Sequence, residues 1–384
     1  MTDTPEKGPG IGDALRDEMT GRGVDWRTLV LVPALAVFSA LVIGGVIILA
    51  TGSSVGNVLD AFGALGRGSV GSLRALSETF TAAAPLILAG LAVGIGFQAG
   101  LFNIGGEGQI VVGGLSAVAV GVSFEGLWAP LHVVLALGGG VLAGAIWGGF
   151  PGWLRAQTGA HEVITTIMLN AIAIRLADFL LKTTFFQKEG SANPVSKDVL
   201  ESARLPRLLT FIDPRLRIHL GIFVALAAAW FAYWLLFKTS IGFEFRAVGA
   251  NPHAAEYAGV KVKRTYFLVM AVAGAMAGLG GANQVLGVLG RATPGFSANI
   301  GFDAIAMALL GRSHPFGIVA AGILFGGLRA GGQQMQVSAD VGIDIISVIQ
   351  ALIIVFIAAP ALIRAIYRVK AGGESQQITQ GWAT

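Results

Sequence analysis

The chain has 384 residues, of which 54% are hydrophobic and only 12% charged, and its mean hydropathy is +0.73. Soluble domains carry about 25% charged residues; half that level, together with 56 glycines, points to a polytopic helical membrane protein. The net charge of +4 with no dense basic cluster argues against a nucleic-acid surface, and the absence of cysteine excludes disulfides and thiolate metal sites.

Residues 1–27 mix Asp3, Glu6, Asp13, Asp17, Glu18 and Asp25 with Lys7, Arg16, Arg22 and Arg27. A signal peptide needs a short basic start and then an apolar run, so this segment reads as a solvated tail. A membrane domain over 28–366 and a second tail over 367–384 follow. Spanning helices need about 20 mostly apolar residues. Clear candidates are 29–50, 80–98, 126–154, 220–237, 265–290 and 345–363. Less clean are 108–124, 163–181, 302–311 and 315–328, of which the short ones are tilted, broken or re-entrant. The expectation is an all-α protein of about ten transmembrane helices.

Ten crossings place both termini on one side. The positive-inside rule makes that side cytoplasmic: Arg155, the 238–264 loop with Lys238, Arg246, Lys261, Lys263 and Arg264, Arg312, and then Arg364, Arg368 and Lys370 all fall there. The 182–217 loop is the misfit. It is assigned outside yet holds Lys188, Lys197, Arg204, Arg207, Arg215 and Arg217, balanced in part by Glu189, Asp198, Glu201 and Asp213. Its length suits a small folded cap.

Between the second and third candidate spans runs "LFNIGGEGQIVVGG", residues 101–114. A charge buried in a bilayer costs at least ~2.5–3.5 kcal/mol on insertion scales, so Glu107 has a purpose. Two readings stay open. Glu107 lines a translocation path, or it caps backbone N–H groups together with Asn103 and Gln109. A related stretch, "NIGFDAIAMALLG", begins at Asn299 and lays Asp303 over Glu107. Transporters are often duplicated, with glycine-interrupted helices meeting where substrate binds; a chance match in so Gly-rich a chain is the alternative. Asn283 and Gln284 sit in an uncharged span and must hydrogen-bond either the pathway or another helix. Arg175 and Asp178, three apart, form an ion pair on one helix face. His161 and Glu162 open "HEVITTIMLN" and read as a cap or gate; with no second His at i+4, a metal site is not expected. The glycines of "GIGFQAG" at 94–100 read as close helix packing. There is no G-x-x-x-x-G-K-[ST] and no G-x-S-x-G. Energy for transport therefore comes from a gradient or another subunit.

The segment "GFEFRAVGANPHAAEYAGVKVKR", 242–264, is conspicuously polar. Asn251 and Pro252 read as an N-cap and first-turn proline, followed by a short helix over 253–258 that stops at Gly259. Such a helix is either an ordinary connector or a dock for a soluble partner.

Within it, "HAAEYAG" resembles the E-A-A-x-x-x-G loop of binding-protein-dependent ABC importer permeases: Ala254, Ala255 and Gly259 match, and His253 stands where the usual residue is Glu. "FRAVGANPHAAEYAGV" resembles the branched-chain amino acid and ribose-type permease family, and "LFNIGGEGQ", "HEVITTIMLN" and "GFDAIAMALLGRSHPFGIVAAGILFGGLRAGG" resemble its nucleoside branch. The likeness covers roughly 80–363. It implies a multi-pass permease subunit of a bacterial inner membrane, in contact with lipid and without enzymatic activity or cofactor of its own. ATP is bound by a partner ATPase, which Gly249, Asn251, Pro252, His253, Ala254, Ala255 and Gly259 contact. A second related permease or a second copy, and a periplasmic or lipoprotein binding protein, complete the assembly. Nucleosides are the implied cargo. Phe102, Asn103, Glu107, Gln109, Asn283 and Asp303 then line the path, with Phe102 or Phe302 stacking on a base. The rivals are a ribose-type sugar permease and an ion-gradient-driven transporter in which Glu107 and Asp303 bind the ion.

Overall fold

The structure is a computed structural model that describes residues 31–339, 344–358, 363, 366 and 367. The 1–27 tail, Arg364, Arg368, Lys370 and the last residues of the chain lie outside the described residues. Among the described residues the fold is helical, with no strand longer than an isolated bridge.

The helices are α1 (Val32–Ala50), α2 (Val55–Val70), α3 (Leu73–Gln98), α4 (Gly106–Ser123), α5 (Ala129–Thr158), α6 (Glu162–Leu180), α7 (Gly221–Lys238), α8 (Ser240–Ala250), α9 (Pro252–Tyr257), α10 (Val262–Asn283), α11 (Ile300–Leu310), α12 (Pro315–Ala339) and α13 (Asp344–Ala358). A π-helical stretch, Gln284–Leu289, extends α10. Among the described residues, seven helices are long and apolar enough to cross a membrane: α3 to α7, α10 with its extension, and α12. Shorter apolar stretches lie in α1, α11 and α13. Each predicted span overlaps one of these helices.

Local chemistry sets many of the boundaries. Ser54 and Ser72 accept the N–H groups of Asn57 and Ala75 at the starts of α2 and α3. Gly159, in the left-handed conformation, ends α5, and the ring of His161 accepts the N–H of Val163 at the start of α6. Such side chains satisfy backbone donors that a helix end leaves unpaired.

Among the elements that differ from the sequence expectation are α2 and α3. α2 is unforeseen, because Asp60, Arg67 and four glycines dilute its apolar residues below the level of a spanning window. α3 begins at Leu73 rather than near 80, because its first turns carry Arg74 and Glu78 outside the apolar window.

Burial ranks the helices. The apolar window of α3 is 83% buried, whereas that of α6 is only 22%. α3 is thus the central post, flanked by α10, α11 and α12, while α5 and α6 lie at the periphery. The most extensive pairing joins α5 to α10 through glycines: a Cβ on Gly144 would stand 2.2 Å from the carbonyl oxygen of Gly274. Only bare backbone permits that approach, and membrane helices gain most of their association from such packing.

The 182–217 loop folds back on the helix ends. Ser196, Val199 and Leu200 donate backbone N–H bonds to Ala292, Gly290 and Gly121, and Lys188 pairs with Asp198 at 2.7 Å. It forms a compact cap over α4 and the end of α10.

Candidate functional site

The polar centre of the fold is the turn that joins α3 to α4. Asn103 and Gln109 exchange amide hydrogen bonds of 3.0 and 3.1 Å, and Asn103 Oδ1 also accepts the N–H of Gly105. Asn170 of α6 accepts the N–H of Gly108 at 2.8 Å and donates to the carbonyl of Ile104 at 2.9 Å. Glu162 accepts the N–H of Phe102 and pairs with Arg155. The turn is therefore laced to α4, α5 and α6 by side chains that satisfy its backbone, as a buried irregular segment requires. Asn170 is not singled out by the sequence, and Glu162 reads there only as a cap or gate; both lie in "HEVITTIMLN".

Glu107 is 2% exposed. It accepts hydrogen bonds from Ser297 Oγ and from the N–H of Gly301, the latter at 2.8 Å. Gly301 belongs to the first turn of α11, so Glu107 caps a helix far along the chain. The two helix starts meet closely: a Cβ on Gly301 would stand 2.2 Å from the backbone nitrogen of Glu107. Asp303, the other acid of the repeated pattern, accepts Arg329 Nη2 at 2.7 Å, and Arg329 also donates to the carbonyl of Ala298. Both acids lie in the first turns of their helices, where a carboxylate is favoured by the helix dipole. Glu107 also lines a cleft of about 230 Å³ with Ile174, Asp178, Phe296, Ser297 and Asn299.

The structure thus pairs Asn103 with Gln109, and separately ties Glu107, in the same first turn of α4, to α11, which carries Asp303. Asn283 is held elsewhere, donating from Nδ2 to the carbonyl of Gly221 at 3.0 Å. Gln284 donates to the carbonyl of Phe296. The Phe102 ring lies against Phe97 with centroids 4.8 Å apart, whereas Phe302 is 43% exposed. Arg175 and Asp178 form their pair at 3.6 Å.

The 238–264 segment folds into two helices rather than one. Thr239 Oγ1 accepts the N–H of Gly242 and starts α8. Asn251 Oδ1 accepts the N–H of Ala254 and starts α9, with Pro252 at its first position. Ala255 is buried against the body, while His253, Ala254 and Gly259 are exposed. Tyr257 is 98% exposed, an unusual placement for a large aromatic.

Residues 75–358, from α3 through α13, match the family described as branched-chain amino acid transport system / permease component. The chain belongs to that family. The guanosine ABC transporter permease protein NupP of Bacillus subtilis is 40% identical over 335 residues, covering 87% of this permease and 94% of that protein. A nucleoside ABC transporter permease protein of Lactococcus lactis is 36% identical, covering 87% and 92% of the two chains. A glucose ABC transporter permease protein of Haloferax volcanii is 38% identical, covering 85% and 86%. No solved structure matches.

Proposed function

We propose that this permease is the membrane-spanning subunit of an ATP-driven importer of nucleosides. The observation that carries the reading is the 40% identity to a guanosine permease over nearly its whole length. The chain supplies the path and no hydrolysis; ATP is bound and cleaved by a partner ATPase. Ten crossings in a bacterial inner membrane, with both termini and the α8–α9 segment cytoplasmic, complete the reading. A second related permease, or a second copy, and a substrate-binding protein outside the membrane are the further partners.

The chemistry of the cluster agrees with a polar, uncharged cargo. Glu107 is engaged by Ser297 and Gly301, and Asp303 by Arg329. Both oxygens of Glu107 are hydrogen-bonded, and Asp303 is paired with a cation. A nucleoside needs hydrogen-bonding groups and an aromatic face, which Ser297, Asn299 and Phe296 offer at the cleft. Closure of the ATPase on ATP would push the exposed α9 and tilt α7 and α10, which flank the α8–α9 segment in the chain.

The glucose permease at 38% identity favours a second reading, in which a simple sugar is carried. Titration of the purified complex and its binding protein with guanosine, adenosine, uridine, ribose and glucose separates the two. Binding of nucleosides is expected; binding of sugars alone overturns the nucleoside assignment. Uptake that persists in ATP-depleted vesicles carrying an ion gradient overturns the ATP-driven one.

A further inference from the structure

The cytoplasmic segment and the polar cluster meet at one backbone contact. Gly249, near the end of α8, lies against the turn that closes α3. A Cβ placed on it would stand 2.4 Å from the carbonyl oxygen of Gln98 and 2.8 Å from the carbonyl carbon of Ala99. From the other side, a Cβ on Gly100 would stand 3.2 Å from the Cα of Gly249, and Gly100 itself has φ +67°. The next residues along the chain are the Asn103–Gln109 cluster.

The same turn touches both ends of α11. Gln98 Nε2 donates to the carbonyl of Ser313, just past α11, at 3.2 Å. Glu107 holds Gly301 at the other end. α11 is bounded by two unusual backbone pairs: Ala298 and Asn299 before it, with φ 48° and 59°, and Arg312 and Ser313 after it, with φ 51° and 54°. Non-glycine residues rarely occupy this left-handed region, and consecutive ones store strain that gathers at elements which move. α11 is thus a short helix between two strained turns, tied at each end to the α3–α4 junction.

We infer that the Gly249–Gly100 contact is the joint through which displacement of α8–α9 reaches α11, and that movement of α11 opens or closes the cleft at Glu107. This rests on α9 being the face that meets the ATPase. Side chains absorb small displacements by changing rotamer. Two backbones in direct contact have nothing that yields, so a shift of α8 is passed on to the α3–α4 turn. Both tethers of α11, Gln98 and Glu107, leave from that turn.

The chain has no cysteine, so Tyr257→Cys and Phe302→Cys, each made alone at an exposed site, report on α9 and α11 separately. The measurement is maleimide labelling of the full complex with its ATPase in lipid bilayers, nucleotide-free and ATP-trapped. With the joint intact, Tyr257→Cys is protected by the ATPase and the labelling rate of Phe302→Cys differs between the two states. Adding Gly249→Ala, or Gln98→Leu, which puts no atom into the joint, removes the Phe302→Cys difference, and Gln98→Leu, outside the ATPase-facing segment, leaves the Tyr257→Cys protection. Transport per ATP hydrolysed falls by roughly tenfold, the size of an ordinary coupling. A Phe302→Cys difference that is absent with the joint intact, or that survives both joint variants, overturns the inference. Loss of protection at Tyr257→Cys in the otherwise unaltered complex overturns instead the ATPase-facing reading of α9.

Discussion

Glu107 of α4 accepts the backbone N–H of Gly301 in α11 at 2.8 Å, joining two helix starts that meet closely. Each helix N-terminus carries roughly half a positive charge. Bringing two together is unfavourable unless negative charge lies between them, and Glu107 supplies it. Gln in place of Glu107 keeps an acceptor for Gly301 and a partner for Ser297 but loses the charge. Glu107→Gln is therefore expected to retain measurable nucleoside uptake, with a loss of about 1 kcal/mol in the bond it makes. Glu107→Ala leaves a buried N–H unpaired and costs about 1–3 kcal/mol. Uptake normalised to membrane protein level checks both; complete loss in the Gln variant at normal level shows that the ionised carboxylate is required.

Asn170 makes a sharper structural prediction. It satisfies the buried Gly108 N–H and the part-buried Ile104 carbonyl at once. Asn170→Leu fills similar volume but orphans both groups, for an expected loss of about 2–4 kcal/mol at ~1–2 kcal/mol per group. Thermal unfolding in detergent reads it as a lowered Tm. An unchanged Tm shows that the α3–α4 turn does not depend on α6.

The spans were legible in the sequence because apolar content over about 20 residues is a bulk property that survives local irregularity. α2 and α8 were not, since their apolar residues are interleaved with glycine, Asp60, Arg67, Glu244 and Arg246. At the site, the repeated pattern pointed to Glu107 and Asp303 as related positions. Its internal geometry was hidden: Asn299 directly precedes α11 in a left-handed conformation, whereas Asn103 sits three residues before α4 and braces the turn through its side chain. The choice between capping and lining stayed open because the groups that Glu107 holds, Ser297 and Gly301, lie some 190 residues away. In the structure Glu107 does cap α11, and it also borders the cleft. For Asn283 the nearest partner is another helix region at Gly221, a pairing that no local spacing encodes.

The cap formed by 182–217 carries a pH-dependent contact. The ammonium of Lys188, hydrogen-bonded to Asp198 at 2.7 Å, holds that carboxyl below its ordinary value of 3.8, with Arg291 and Arg204 adding to the effect. A depressed native pKa means that the stabilisation is complete above the unfolded value and is lost as pH falls through the lower native one. The pair is well exposed, so its effect is small. Asp198→Asn is expected to be slightly less stable than the native chain at pH 7, with the difference closing below the ordinary carboxyl range. Urea unfolding at pH 7 and at acid pH compares the two; a difference that grows with acid contradicts the pairing.

Gly259 separates a structural role from a partner contact. Its φ of +91° follows the α9 turn, and nothing lies within 4 Å of the position where a Cβ would project. Gly259→Ala therefore meets no steric clash inside the chain, and the left-handed backbone adds about 1 kcal/mol of strain. Gly259→Trp places a large ring into that open space, where only another molecule would meet it. The expected outcome is near-normal uptake for Ala and abolished uptake for Trp, with insertion and protein level unchanged in both. Co-purification of the ATPase subunit is expected to fall with the Trp variant alone. Normal uptake in Gly259→Trp removes the 238–264 segment from the coupling machinery, and equal loss in both variants assigns the effect to backbone strain instead.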